Sequence, residues 1–225
     1  MTTTPHPRLL GTTSVAVLLV GAAVLDTLEQ VISPLTSSTT YADITAISQH
    51  QTRFVVSVLI GVAATLMFLP GILGLTARTV GRAPVASRIA AALACLGFPS
   101  FMGIRLGQAI ELQGVRDGLS RRATANLVDH LSANPIGVAI VACFLVGTVL
   151  GVLVLGVAMW RAGLPRVAAA LVAAFGVVDM STEGVIPGWL VHLMLVVGFG
   201  LTAVVLLRDD AAPSTRPDAA SVPVS

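Results

Sequence analysis

Long apolar runs recur along the chain and are separated by shorter polar links. A helix needs about 20 apolar residues to cross the hydrocarbon layer of a membrane, and six runs reach or approach that length. They cover residues 9–32, 54–75, 89–113, 135–160, 164–185 and 189–207. Because the runs are continuously apolar and do not alternate, they favour helices over barrel strands. The pattern predicts an all-α membrane protein, a bundle of six transmembrane helices within residues 1–208.

The composition agrees with this pattern. Of the 225 residues, 55% are hydrophobic and 11% are charged, whereas a soluble domain is about 25% charged. The mean hydropathy is +0.91, and the formal net charge is only +2. These values exclude a soluble globular domain, a disordered protein and a nucleic-acid binder. The lipid bilayer is therefore the expected partner, and nucleic acid is not.

Arginine supplies all 13 basic residues and is unevenly distributed along the chain. Cytoplasmic links carry an excess of basic residues, so the side with more arginine is expected to be cytoplasmic. With six spans, eight arginines share the side of both chain ends and four lie opposite: Arg8, Arg78, Arg82, Arg88, Arg161, Arg166, Arg208 and Arg216 against Arg53, Arg116, Arg121 and Arg122. Both termini are therefore predicted to be cytoplasmic. A composition rich in Ala, Val, Gly and Arg, without Lys, is typical of a high-GC bacterium and indicates a multi-pass protein of the bacterial cell (inner) membrane.

The two ends of the chain need separate interpretations. The first run has the basic start and small residues of a cleaved signal peptide, but Asp26 and Glu29 continue it beyond those small residues. This continuation favours a retained span. Residues 209–225 are rich in Pro, Ala, Ser and Asp, and have too little apolar surface to fold, so they are expected to form a disordered cytoplasmic tail.

Two links on the predicted outer side are longer than a turn requires. Residues 33–52 place Tyr41, Ile44 and Ile47 at roughly helical spacing, and residues 115–134 place apolar side chains at every fourth position from 119 to 131. Both links fit short amphipathic helices on the membrane surface. Solvated loops fit the same residues equally well, and the sequence leaves the two alternatives open.

Small residues within the runs indicate where helices approach closely. Gly103 and Gly107 form a GxxxG pair in the third run, and Gly147 and Gly151 form another in the fourth. Such pairs let transmembrane helices pack tightly. Packing within one chain is the preferred interpretation, and a dimer face is the alternative.

Ionisable and polar side chains inside the runs are the candidate functional residues, because a charge in the bilayer is costly and marks a site by default. Counting about 1.5 Å of rise per residue from the cytoplasmic arginines places all of them in the outer third or at the outer boundary. They are Asp26, Glu29, Arg105, Gln108, Glu111, Asp179, Glu183 and His192. Their common depth predicts a polar pocket between the first, third, fifth and sixth spans, open to the outside.

Pairing within this set is only partly determined by the sequence. The Arg105 guanidinium needs a carboxylate, and Asp26, Glu29 and Asp179 are all candidates. A purely structural ion pair is as plausible as a ligand site, and His192 fits a proton site, a metal ligand or a simple hydrogen bond. The chain has no HExxH or CxxC signature, so neither a metal nor a cofactor is expected.

Three features of the chain resemble a family of small, uncharacterised six-span bacterial membrane proteins. They are the run GIRLGQAIE at 103–111, the short link WRAGLPR at 160–166, and the long link before the second span. In that family an acid often follows the arginine of the third span by three residues. Here Gln108 follows Arg105, and Glu111 comes three residues later. The resemblance implies the six-span topology and no settled activity.

Three classes of function fit these features. The first is a non-enzymatic membrane partner, sensor or immunity-type protein that meets a small lipophilic ligand or a membrane protein. The second is an intramembrane isomerase, cyclase or hydrolase on a lipid-like substrate, with Asp26, Glu29, Glu111 or Asp179 as the proton donor. The third is a small proton-coupled carrier or channel. The first class is preferred, because no nucleophile motif supports hydrolysis and the inner half lacks a polar path.

Overall fold

A computed structural model describes residues 10–35, 39–182 and 185–211 of the chain. All regular structure in these ranges is helical. In chain order the helices are α1 (Thr12–Ile32), α2 (Thr40–Gln49), α3 (Gln51–Thr79), α4 (Pro84–Arg116), α5 (Arg121–Ala133), α6 (Pro135–Leu145), α7 (Gly151–Arg161), α8 (Arg166–Thr182) and α9 (Gly188–Ala211), with a π-helical turn at Val146–Leu150 joining α6 to α7.

Five of these segments are long and apolar enough to cross a membrane. They are α1, α3, α4, the continuous segment Pro135–Arg161 that contains α6 and α7, and α9. Helix α8, which covers most of the predicted fifth span, has 17 residues and is shorter than the other five. The all-helical architecture of a multi-pass membrane protein is therefore present, with five clear spans in the described residues.

Several predicted boundaries differ from the observed helices. Helix α4 runs from Pro84 to Arg116 and extends past both ends of the predicted span 89–113. Helix α9 continues through Ala211, so the first three residues of the predicted tail are helical. The remaining tail residues, 212–225, lie outside the described residues, as do residues 1–9 before α1.

The long helices form a closed ring. Helix α1 lies between α3 and α9, α9 packs on α8, and α8 packs on α7. Helix α4 contacts both α7 and α3 and closes the ring. Large buried side chains fill its centre: Val15, Leu19, Phe68, Leu75, Leu155, Met159, Val172, Leu195 and Phe199.

Helices α2 and α5 cover one end of the ring, which we call the cap end. Thr39 and Ser120 begin them, each accepting a hydrogen bond from a backbone N–H of the first turn. Ile44 and Ile47 of α2 are fully buried with Phe54 and Ala125 in a small apolar core. Both long links therefore contain a helix, and the solvated-loop alternative is wrong for these segments.

Glycines bring α4 and the π-helical turn into backbone contact. A Cβ atom on Gly147 would collide with the backbone of Gly97, and one on Gly151 would touch Leu93. On the opposite side of the turn, Gly176 of α8 packs against Val149. The Gly147 and Gly151 pair thus packs within the chain. The Gly103 and Gly107 pair of α4 differs, because a Cβ atom on Gly103 would meet Ile140 of α6 whereas one on Gly107 would face open space.

We expect the substitution Gly147→Ala to destabilise the protein, because its methyl group would push the turn away from α4. Overpacking of this kind costs about 1–3 kcal/mol. Gly200→Ala is the matched control, since nothing lies within 4 Å of a Cβ atom there. Circular dichroism melts in one detergent should show a lower Tm for Gly147→Ala alone. Equal melting temperatures for the two variants would contradict the close approach of Gly147 to Gly97.

Candidate polar site at the cap end

The predicted polar residues lie on helix ends that meet at the cap end. Asp26 and Glu29 occupy the last turns of α1, Arg105 lies in the second half of α4, and Asp179 lies near the end of α8. His192 lies in the first turns of α9. Because successive long helices alternate in direction, these positions share one level of the bundle.

Glu29 and Arg105 form a buried ion pair at the centre of the site. Each guanidinium nitrogen Nη1 and Nη2 contacts one carboxylate oxygen of Glu29, which is the two-pronged geometry that favours arginine over lysine. Both side chains are only 6% exposed. Arg105 Nη1 also donates to Oε1 of Gln108 at 3.0 Å. Among the three acids left open by the sequence, Glu29 is therefore the partner of Arg105.

Gly61 of α3 provides the space in which this ion pair forms. Helices α1 and α4 make no direct backbone contact in the described residues, because α3 lies between them. A Cβ atom on Gly61 would collide with the Glu29 carboxylate and with Nη2 of Arg105. The pair thus bridges two helices across the bare backbone of a third. Sequence reasoning missed Gly61, although Ser57, Gly61 and Thr65 repeat small residues at every fourth position.

Phe101 also contributes to the site and was not predicted. It precedes Arg105 by four residues on α4, which places both on one helix face. The Arg105 Cζ atom lies 4.4 Å from the centre of the Phe101 ring. The electron-rich face of the ring adds to the stabilisation of the buried guanidinium.

His192 contacts two acids on neighbouring helices. Its Nδ1 atom lies 2.5 Å from Oδ2 of Asp26, and its Nε2 atom lies 3.5 Å from Oδ1 of Asp179. Phe175, one turn before Asp179 on α8, packs edge-on against the imidazole with ring centres 5.1 Å apart. The imidazole is thereby held between α1 and α8.

Each ring nitrogen of His192 faces a carboxylate, so the hydrogen bonding depends on where the protons lie. A neutral imidazole has a single N–H, so hydrogen bonds at both ring nitrogens require either the doubly protonated ring, which donates to both carboxylates, or a protonated acid that donates to the second nitrogen. The two carboxylates face opposite ring nitrogens and do not converge on a common point. Each carboxylate can therefore exchange a proton with its own ring nitrogen, from Asp179 through His192 to Asp26, whereas the two carboxylates do not converge to chelate one ion.

The two contacts form one cluster, because Asp26 and Glu29 lie three residues apart on the same face of α1. Asp179, 39% exposed, forms the accessible edge of this cluster. Two cavities in the described residues lie elsewhere, one between α4 and the π-helical turn and one around residues 48–53.

The structure does not bring every predicted residue into this cluster. Glu111 follows Gln108 by three residues on α4, and its electrostatic neighbour is Asp43 of α2 and not a residue of the cluster. Glu183 lies outside the described residues. Comparison with known proteins adds no relative, since no family model, no curated protein and no solved structure matches the chain.

We expect Glu29→Leu and Arg105→Leu to be strongly destabilising as single substitutions and nearly neutral together. Removing one partner of a buried ion pair leaves an unpaired charge and costs about 3–5 kcal/mol, whereas replacing both with apolar residues is often tolerated. Thermal melts of the four proteins in one detergent test this expectation. Additive losses in the double variant would contradict a mutual dependence of the two residues.

We expect Gly61→Ala to lower the melting temperature, because the added methyl group occupies the space where the carboxylate and guanidinium meet. Gly107→Ala is the matched control, since it is also a glycine within a long helix but faces open space. The effect of Gly61→Ala should shrink in the Glu29→Leu/Arg105→Leu background. An unchanged loss in that background would show that Gly61 acts through other contacts.

Proposed function

We propose that the protein is a non-enzymatic multi-pass protein of the bacterial cell membrane, a partner, sensor or immunity-type subunit with an outward-facing polar site. One observation carries this proposal: in the described cluster the buried acids Glu29 and Asp26 are matched with Arg105 and His192, and Asp179 is the acid left accessible. A small lipophilic ligand or a membrane protein that reaches the site would meet Asp179 first. Its binding would compete with the loose contact between Asp179 and His192.

The proposal includes six spans with both termini in the cytoplasm. At about 1.5 Å per residue, the 17 residues of α8 cover about 25 Å, which is at the lower end of membrane-spanning lengths. Trp160 precedes α8 at one end of the bundle and Trp189 follows it at the cap end, and both are exposed. Tryptophan is enriched at the two membrane interfaces, which supports a crossing by α8. The arginine distribution then places the cap end outside.

Pairing of the acids argues against intramembrane catalysis. A general acid needs a transferable proton and access to its substrate. Both carboxylate oxygens of Glu29 contact Arg105, and Asp26 contacts His192. Neither acid lines either of the two cavities described above, and a base already occupies each carboxylate, which disfavours a lipid-like substrate at these acids.

A proton-coupled carrier is the second candidate, because Asp179, His192 and Asp26 form a line of exchangeable groups from the exposed edge into the bundle. The apolar interior of the helix ring beyond these three groups argues against a carrier. Leu19, Phe68 and Phe199 are buried there in the main apolar core. Passage of a polar species through that core would require the ring to open.

We expect Asp179→Asn to melt like the parent and to lose function, because the substitution removes the accessible charge without unpairing a buried one. The folded Glu29→Leu/Arg105→Leu variant should keep function, since we assign its pair a structural role. Complementation of a deletion strain, scored on whatever phenotype the deletion produces, measures both. Ser181→Ala, at an exposed position of the same helix, is the control.

Two further measurements separate the competing classes. Lipid extracts of deletion, wild-type and overexpressing cells, compared by mass spectrometry, should match if the protein is not a lipid enzyme. Proteoliposomes with an internal pH dye should show no proton flux above empty vesicles. A lipid species that depends on the acids would instead establish the enzyme, and a flux abolished by His192→Gln would establish the carrier.

A further inference from the structure

Helix α5 has three distinct faces. Thr124 and Ala125 are buried against α4 and α2. Asn126 and His130 lie on a polar face that is exposed. At 100° per residue, Leu127 lies between these two faces, and it opens a third face that no described part of the chain covers.

This third face is apolar and accessible. Leu127 is 43% exposed and Leu131, one turn later, is 39% exposed, while Ala123 precedes them by one turn at another exposed position. Packing in the cap therefore leaves Ala123, Leu127 and Leu131 uncovered, and we call these three residues the apolar stripe of α5. Ile44 and Ile47 of α2 differ, because they are fully buried beneath the cap.

The free face of α5 is continuous with the outer surface of a membrane-crossing segment. Asn134 ends α5 and also begins α6, where its side chain accepts hydrogen bonds from the backbone N–H groups of Ile136 and Gly137. A Cβ atom on Gly137 would collide with the carbonyl of Leu131, so the two helix ends are in direct contact. Ile136 and Val138 in the first turn of α6 are exposed on the surface of this span.

Charge at the start of α5 matches a phospholipid surface. Arg121 and Arg122 occupy its first two positions, Arg116 ends the preceding helix, and all three are exposed. Guanidinium groups bind phosphate oxygens in the two-pronged geometry. An apolar stripe beside a polar face with flanking arginines is the pattern of a helix lying in the membrane interface.

We propose that α5 rests in the phospholipid headgroup layer at the cap end, with Leu127 and Leu131 in the acyl-chain boundary and Arg121 and Arg122 at the phosphates. The helix would thereby fix the height of the cap relative to the bilayer. This inference depends only on membrane insertion and is independent of the function class proposed above.

Nitroxide labels on single cysteines test the position of α5, in a background carrying Cys95→Ala and Cys143→Ala. Labels at Leu127 and Leu131, with Asn126 and His130 as neighbouring polar-face controls, are measured in nanodiscs of phosphatidylethanolamine and phosphatidylglycerol. The two leucine positions should be more accessible to oxygen than to a water-soluble nickel reagent, and the controls should show the reverse. Equal nickel accessibility at all four positions would overturn the proposal.

Two other outcomes also decide against lipid as the partner. Labels shielded from both reagents would indicate a protein covering the stripe, and spin–spin broadening between labels would identify that protein as a second copy. The unlabelled parent chain provides an independent measurement if a labelled variant does not fold. With a photoactivatable phospholipid, adducts within the two cap helices should fall at 123–131 and be scarce in α2, and an absence of adducts in α5 would reject the proposal.

Discussion

A charge inside a bilayer is tolerated only when an opposite charge meets it there, and this constraint organises the cap-end half of the protein. Glu29 and Arg105 belong to helices that α3 separates, so their contact fixes three helices at once. The His192 contacts extend the same principle to α8 and α9. The deeper half of the ring has no comparable ion pair among the described residues and is held by shape, with large apolar side chains packed around glycine contacts.

Apolar cores flank the cluster on two sides. It lies between the main apolar core and the small core under the cap, around Ile44 and Phe54. Low-dielectric surroundings strengthen each pairing and raise the cost of breaking it. Among the described residues of the cluster, Asp179 combines charge with access, and the proposed response to the outside would begin there.

The sequence predicts the helical class and the common level of the charged residues, because both follow from hydropathy and helix rise alone. It cannot choose the partner of Arg105, since three acids lie at similar depth and the decision depends on which helices are neighbours. Gly61 illustrates the difficulty: its importance arises from two side chains on other helices. Helix α5 was recognisable from its spacing, but its division into a docked face and a free face depends on the position of α2.

The π-helical turn at Val146–Leu150 has a consequence for how one segment serves two sets of neighbours. Its wider turn holds one more residue than an α-helical turn does, and each residue rotates the helix by about 100°. Helix α6 therefore presents one azimuth to α4 and α5, while α7 presents another to α4 and α8. Deleting a single residue here would leave a segment still long enough for the bilayer but with its two halves out of phase. Insertions and deletions in this segment are thus constrained by rotational register, although hydrophobic length alone would allow them.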